Sequence, residues 1–163
     1  MNDELIFSPE ESNLAVEPNN QWNILVIDDD MQVHVMTKLA LKNVKIFNRG
    51  LNISHAYSGA EGIALLKEMP EIDLVLLDMV MEKHDTGLEV ARWLREDAGR
   101  HDRPVVILRT GHPGLLTTDD ILMNEHFNGM IEKSSVTYHN LINFLTRMLP
   151  DPATGGQPSP DRH

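Results

Sequence analysis

The sequence predicts an α/β domain built on a doubly wound, parallel, five-stranded sheet. Three observations predict it. Short apolar runs rich in β-branched residues alternate five times with segments of helical period, an order that forces crossover connections, parallel strands and helices on both faces. Three of the runs, Ile24–Ile27, Leu74–Leu77 and Val105–Leu108, are unbroken by polar residues, as strands buried on both faces are. Several runs end in residues with chemical function, and an open sheet of this kind collects ligands beyond the carboxyl ends of its strands.

Residues 1–21 are acidic and Asn-rich without periodicity and are expected to form a mobile arm, with Leu5-Ile6-Phe7 as its apolar spot. Trp22–Ile27 is the first strand and runs into Asp28-Asp29-Asp30. From Met31 to Val44, the residues Val33, Met36, Leu39, Ala40 and Val44 recur at helical spacing and are expected to face inward. Asn48-Arg49-Gly50 signals a turn before a shorter strand, Asn52–Tyr57. Ser58 and Glu61 have the spacing of a capping box, opening a helix with Ile63, Leu65, Leu66 and Met69 on its apolar face and Pro70 at its end. The strand Leu74–Asp78 follows, then a loop, Met79–Thr86. The helix Gly87–Asp97 turns Leu88, Val90, Ala91 and Leu94 inward. Arg103-Pro104 breaks the chain ahead of the strand Val105–Leu108, which ends in Arg109-Thr110-Gly111; Arg109 is expected to reach the rim toward Asp85 or Glu82. A weak helix over Thr117–Phe127, a short strand over Gly129–Lys133 and a helix over Val136–Leu149 complete the series, the last with Leu141, Phe144, Leu145 and Met148 inward. Met36, Met69, Met123, Met130 and Met148 read as core fillers. The Pro- and Gly-rich stretch 150–163 reads as a linker or tail, which leaves residues 22–149 as one domain.

Composition narrows the function. The chain of 163 residues suits one domain with a sizeable core. The absence of cysteine excludes disulfides, a thiolate nucleophile and Cys-ligated zinc. No apolar run approaches a membrane span and the N-terminus lacks the pattern of a signal peptide, so a cytoplasmic location is expected. The net charge of −11 argues against a nucleic-acid grip through a basic surface.

The strand ends carry the chemistry. The first offers Asp28 and Asp29, the third Asp78, the fourth Thr110 and the fifth Lys133. Carboxylates gathered in one pocket repel by on the order of 4 kcal/mol per close pair, so they share protons or hold a cation. An all-oxygen donor set favours Mg²⁺ or Mn²⁺ over zinc. A metal, an ammonium and a hydroxyl together bind phosphoryl oxygens, and a carboxylate attacks phosphorus.

These pieces resemble the receiver domain of two-component response regulators over about Asn23–Leu149. The matching stretches are Ile24–Asp29, Leu76–Met81, Gly87, Leu108–Gly111 and Glu132-Lys133. The resemblance implies a flavodoxin-like, CheY-like fold with strand order 2-1-3-4-5. It implies that Asp78 accepts a phosphoryl group from a sensor histidine kinase or phosphotransfer protein. Asp28, Asp29, Asp78 and the Val80 carbonyl would hold Mg²⁺, and Thr110 and Lys133 would bind the phosphoryl oxygens. Thr110 and Met130 would carry the switch, while Val80 and His112 would tune dephosphorylation. Apolar Val80 positions attacking water poorly, which implies a long-lived phosphorylated form. The domain would not itself be an enzyme, and a homodimer is one possible assembly.

Four departures from the family pattern stand out. Glu82 replaces a proline, Gly87 lies one residue late in a longer loop, Met130 replaces the usual switch aromatic, and Ser134 replaces the proline after Lys133, so that peptide is expected to be trans. Val33-His34, Ala56–Ala60, Met81-Glu82 and Arg109–Gly114 resemble a subgroup whose receivers precede HD-GYP cyclic-di-GMP phosphodiesterase modules. Two other readings stay open. Asp28-x-Asp30 also permits a haloacid-dehalogenase-type phosphatase with Asp28 as nucleophile, although Gln32 stands where that family has threonine or valine. A receiver-like adaptor that is never phosphorylated is the other.

Overall fold

The apolar runs become strands, and their alternation becomes a layered sheet. The computed structural model describes residues 20–83, 85–111, 125–133 and 138–154. Its strands are β1 (Gln21–Ile27), β2 (Gly50–Ala56), β3 (Leu74–Asp78), β4 (Val105–Thr110) and β5 (Gly129–Glu132). They pair in parallel in the order β2-β1-β3-β4-β5, as the resemblance implied. The described helices are α1 (Met31–Ala40), α2 (Gly59–Glu68), α3 (Thr86–Arg92) and α4 (Tyr138–Met148). Helix α3 widens into a π-helical turn over Trp93–Asp97.

Side chains alternate between two cores. Ile24, Val26, Leu74, Leu76, Val105 and Ile107 enter the first, which α1 and α4 close with Ala40, Leu41, Leu141 and Leu145. Leu25, Ile27, Val75, Leu77, Val106 and Leu108 enter the second, closed by Leu66 of α2 and Val90, Ala91 and Leu94 around α3. Every residue of β3 and β4 is buried, as central strands of a doubly covered sheet must be. Among the described residues no helix is long and apolar enough to cross a membrane.

Helix α1 departs from expectation in length and in facing. It stops at Ala40 rather than Val44, because Asn43 takes a left-handed conformation (φ 61°) that ends the helix. The turn that follows centres on Phe47 and Asn48, both at positive φ, with Ile46 and Arg49 exchanging backbone hydrogen bonds. The face expected to be buried is so only in part: Ala40 is buried and Val44 packs against the first core, but Met36 and Leu39 are at least half exposed, together with Met31 and Val35. The buried residues are His34, Thr37 and Ala40. The helix is turned so that two polar side chains meet buried polar groups at the strand ends, an attraction that hydrophobic periodicity does not register. Met36 is therefore not a core filler.

Other expectations hold locally. Ser58 Oγ accepts from Glu61 N at 3.1 Å and Glu61 Oε1 accepts from Tyr57 N at 2.7 Å, closing a capping box. The tail differs slightly from its expectation: Pro152–Thr154 forms a 3-10 turn, with Ala153 N donating to Asp151 Oδ1. Residues 1–19 and 155–163, most of the weak helix expected over Thr117–Phe127, and Ser134 and Val136 lie outside the described residues. Residues 125–127, at the end of that expected helix, are turn and coil.

Candidate functional site

Three acids meet at the carboxyl edge of the sheet because two central strands end there. Asp78 is the last residue of β3, and Asp28 follows β1 directly. Both are buried, at 4 % and 1 % exposure, while Asp29 is exposed. One carboxylate oxygen from each of the three lies within 4.8 Å of the others. Asp30 stands apart from this trio: its Oδ1 accepts from Gln32 N and caps α1.

Lys133, one residue past β5, reaches into the trio. Its Nζ lies 3.0 Å from Asp28 Oδ2 and 3.3 Å from Asp78 Oδ2. Burial and the Asp28 charge push the Asp78 carboxyl up to about 6, against Lys133 and a hydrogen bond from the Val80 N–H, which favour the carboxylate. Burial opposes the charge on Lys133, but the bonds and charges of Asp28 and Asp78 outweigh it and hold its pKa above the ordinary lysine value. Thr110 ends β4, buried, one residue beyond Arg109, the register partner of Asp78. Val80 and Met130 both pack, partly buried, against the second core. His112 lies outside the described residues.

The loop after β3 is pinned from both sides. Glu82 accepts from Gly59 N at the start of α2, and Lys83 N donates to Thr86 Oγ1. A Cβ on Gly87 would sit 2.4 Å from the Asp78 carbonyl oxygen and 2.7 Å from Met79 Cα. Only glycine lets α3 start this close to the acid. Gly87→Ala is expected to cost about 1–3 kcal/mol of unfolding free energy, read by denaturant titration, because the obstructing atoms are backbone and cannot swing aside.

Sequence reasoning placed Asp28, Asp29, Asp78 and Lys133 at one rim, and the structure brings them together. It misplaced Arg109. Instead of reaching the rim toward Asp85 or Glu82, Arg109 is buried at 4 % exposure, with Nη1 donating to Thr37 Oγ1 at 2.9 Å. It noted His34 only within the Val33-His34 subgroup pattern and gave it no place at the site, whereas its Nε2 lies 2.7 Å from the Asp28 carbonyl. That carbonyl only accepts, so Nε2 carries the proton, and Nδ1 of a neutral ring then accepts from His55 Nδ1 at 2.8 Å. Burial, with His34 and Lys38 nearby, holds the His55 pKa below the ordinary value. The available signal was polar residues at 34 and 37, on the face that also carries Ala40 and Leu41.

The donor set is all oxygen, close together and partly neutralised by one ammonium, which fits a hard divalent cation and does not suit zinc. Residues 24–144 match the response regulator receiver domain. The chain belongs to that family. Its structural neighbours share the fold: this receiver superposes on the chemotaxis protein CheY4 of Vibrio cholerae with a TM-score of 0.66 at 18 % identity, over 79 % of this chain and 99 % of that one. On the CheX-CheY-BeF3-Mg+2 complex of Borrelia burgdorferi the TM-score is 0.61 at 22 % identity, over 75 % and 84 % of the two chains. In sequence, the receiver is 33 % identical over 141 residues to 3'3'-cGAMP-specific phosphodiesterase 2 of Vibrio cholerae. The alignment takes in 86 % of this chain but only 27 % of that relative, so the receiver spans about a quarter of its length.

Proposed function

We propose that this receiver is a phosphorylation-controlled switch with Asp78 as its phosphoacceptor. The observation that carries the reading is the trio of carboxylates within 4.8 Å, with the Lys133 ammonium against two of them. A carboxylate at a strand end is a fixed nucleophile, and an ammonium beside it offsets the charge of the incoming phosphoryl group.

Asp28, Asp29, Asp78 and the Val80 carbonyl would hold Mg²⁺ or Mn²⁺, which when bound neutralises charge on the phosphoryl oxygens. An Asp78 oxygen attacks the phosphorus of a phosphohistidine on a sensor kinase or phosphotransfer protein. The new O–P bond forms as the N–P bond breaks, and the electron pair leaves with the imidazole. Lys133 pairs with the phosphoryl oxygens and Thr110 donates a hydrogen bond to them. The group adds roughly two negative charges and three acceptor oxygens, enough to bias an equilibrium between two shapes. With Met130 in place of an aromatic, the transition is read through the packing of Met130 and Val80. Capping of α1 by Asp30 weighs against an acid/base role for that residue and so against a phosphatase built on Asp28.

The output we propose is an HD-GYP-type cyclic dinucleotide phosphodiesterase, joined to the receiver or bound by it. The phosphodiesterase of Vibrio cholerae, whose matching region is a quarter of its length, supports this reading. Residues 22–149 form the switch domain, and a homodimer is compatible with it.

Incubation with acetyl phosphate and Mg²⁺ is expected to add the mass of one phosphoryl group, mapped to the peptide holding Asp78. A label on Asp28 would redirect the reading to the phosphatase, and no label would support the adaptor. After acetyl phosphate is removed, the label is expected to outlast seconds, because apolar Val80 stands where a polar side chain would guide water.

A further inference from the structure

We propose that Arg109 is a positioning residue for the acid pocket: a fixed positive charge, tethered to α1, that acts through Asp28 and Asp78 to weaken the grip on the divalent cation and ease the entry of a phosphoryl dianion. The inference rests on the phosphoacceptor reading for the second effect but not for the first.

Strand alternation supplies the placement. Val105 and Ile107 of β4 enter the first core, and Arg109 continues that face. Leu74 and Leu76 lead in the same way to Asp78, and Ile24 and Val26 to Asp28. Asp78 and Arg109 are also direct register partners on adjacent parallel strands. The guanidinium is therefore on the same side of the sheet as both buried acids, beneath α1.

Its surroundings are otherwise poor for a cation. Burial lowers the Arg109 pKa, and the Asp28 and Asp78 charges act in the opposite direction. Nη1 donates to Thr37 Oγ1. The Thr37 hydroxyl already gives its single proton to Val33 O, so Arg109 is the donor in that bond. Among the described residues the buried Nε has no hydrogen-bond partner. A neutral side chain at this position would avoid that desolvation cost. Among the described residues the charges that compensate it are those of the neighbouring carboxylates, Asp28 and Asp78.

The charge count shows the consequence. Three aspartates give −3 and Lys133 brings the group to −2; Arg109 brings it to −1. A divalent ion and a phosphoryl dianion replacing the charge of Asp78 then give −2 from Asp28 and Asp29, −2 from phosphoryl, +2 from the metal and +2 from the two bases, which is zero. Without Arg109 the loaded site would be left at −1, and the empty one would hold the metal more tightly.

The test is Mg²⁺ titration followed by thermal shift at about pH 8, on wild type, Arg109→Gln and Arg109→Lys, with acetyl phosphate labelling at saturating Mg²⁺. Arg109→Gln is expected to bind Mg²⁺ at least about fivefold more tightly and to label at least about tenfold more slowly. Arg109→Lys, which keeps the charge, is expected to restore both to within about twofold. A purely structural role predicts a lower melting temperature in both variants and an unmoved Mg²⁺ midpoint, and that result overturns the proposal, as does weaker Mg²⁺ binding by Arg109→Gln. Should Arg109→Gln not fold, Thr37→Val decides. It keeps the cation but removes its tether, so the guanidinium leans on the acids and Mg²⁺ binds at least about twofold more weakly; an unchanged midpoint overturns the proposal. If wild type binds Mg²⁺ but takes no phosphoryl group, the phosphoacceptor reading fails, and Arg109 is judged on the Mg²⁺ midpoints alone.

Discussion

Asp78→Asn is expected to abolish labelling by acetyl phosphate and, in metal-free buffer, to make the protein more stable. The first effect follows from loss of the nucleophile. The second follows from the sign of the Asp78 shift. Burial and Asp28 raise its pKa to about 6, so the folded state binds a proton more readily than the unfolded chain. The stabilisation that the proton supplies is complete below the unfolded value of 3.8 and is lost as the pH rises through about 6. At pH 7 the wild-type carboxylate is therefore a liability of roughly 1–3 kcal/mol, which a neutral amide of the same shape removes. Chemical denaturation with and without Mg²⁺ measures it. A variant that still takes the label, or a metal-free variant less stable than wild type at pH 7 and equal to it at pH 4, would contradict the reading of the pocket.

Lys133→Met is expected to do the opposite in metal-free protein. It leaves two buried carboxylates facing each other with their shared ammonium gone. The loss is expected to be about 1–3 kcal/mol, smaller than for a fully buried pair because 25 % of the lysine side chain meets water. Lys133 holds the Asp78 pKa down, so without it the carboxyl titrates higher still. Labelling by acetyl phosphate at limiting Mg²⁺ should then fall away at a higher pH than in wild type, where it falls as the pH drops through about 6. Saturating Mg²⁺ should return most of the stability, since a divalent ion supplies the missing charge. A labelling profile unchanged in pH would show that Lys133 does not govern the ionisation of Asp78.

The strands were legible because their signal is local and strong. Runs such as Leu74–Leu77 carry no polar residue, and the acids at their ends mark one edge once the strands are known to be parallel. The order of the strands is not local information; the family resemblance supplied it. The facing of α1 escaped because apolar periodicity assumes that what is inward is apolar. Here the inner face carries His34 and Thr37, drawn in by Asp28 O and Arg109, and the apolar Met31, Val35, Met36 and Leu39 are left outside. Arg109 escaped for a related reason: a charged residue at a strand end is ordinarily assigned to solvent, and only its three-dimensional neighbours, Asp28 and Asp78, give it a reason to be inside.

The main chain at Asp28 is held at both of its polar groups: its N–H donates to Ala56 O at 3.1 Å and its carbonyl receives the His34 imidazole at 2.7 Å. The first strand's exit therefore behaves as an anvil. On the phosphoacceptor reading, displacement set off at Asp78 is expected to pass to the opposite flank, through β4, which ends in Thr110, and β5, with Lys133 one residue beyond it. On that reading the side nearest β2 is expected to move least, and the signal to leave the domain in one direction.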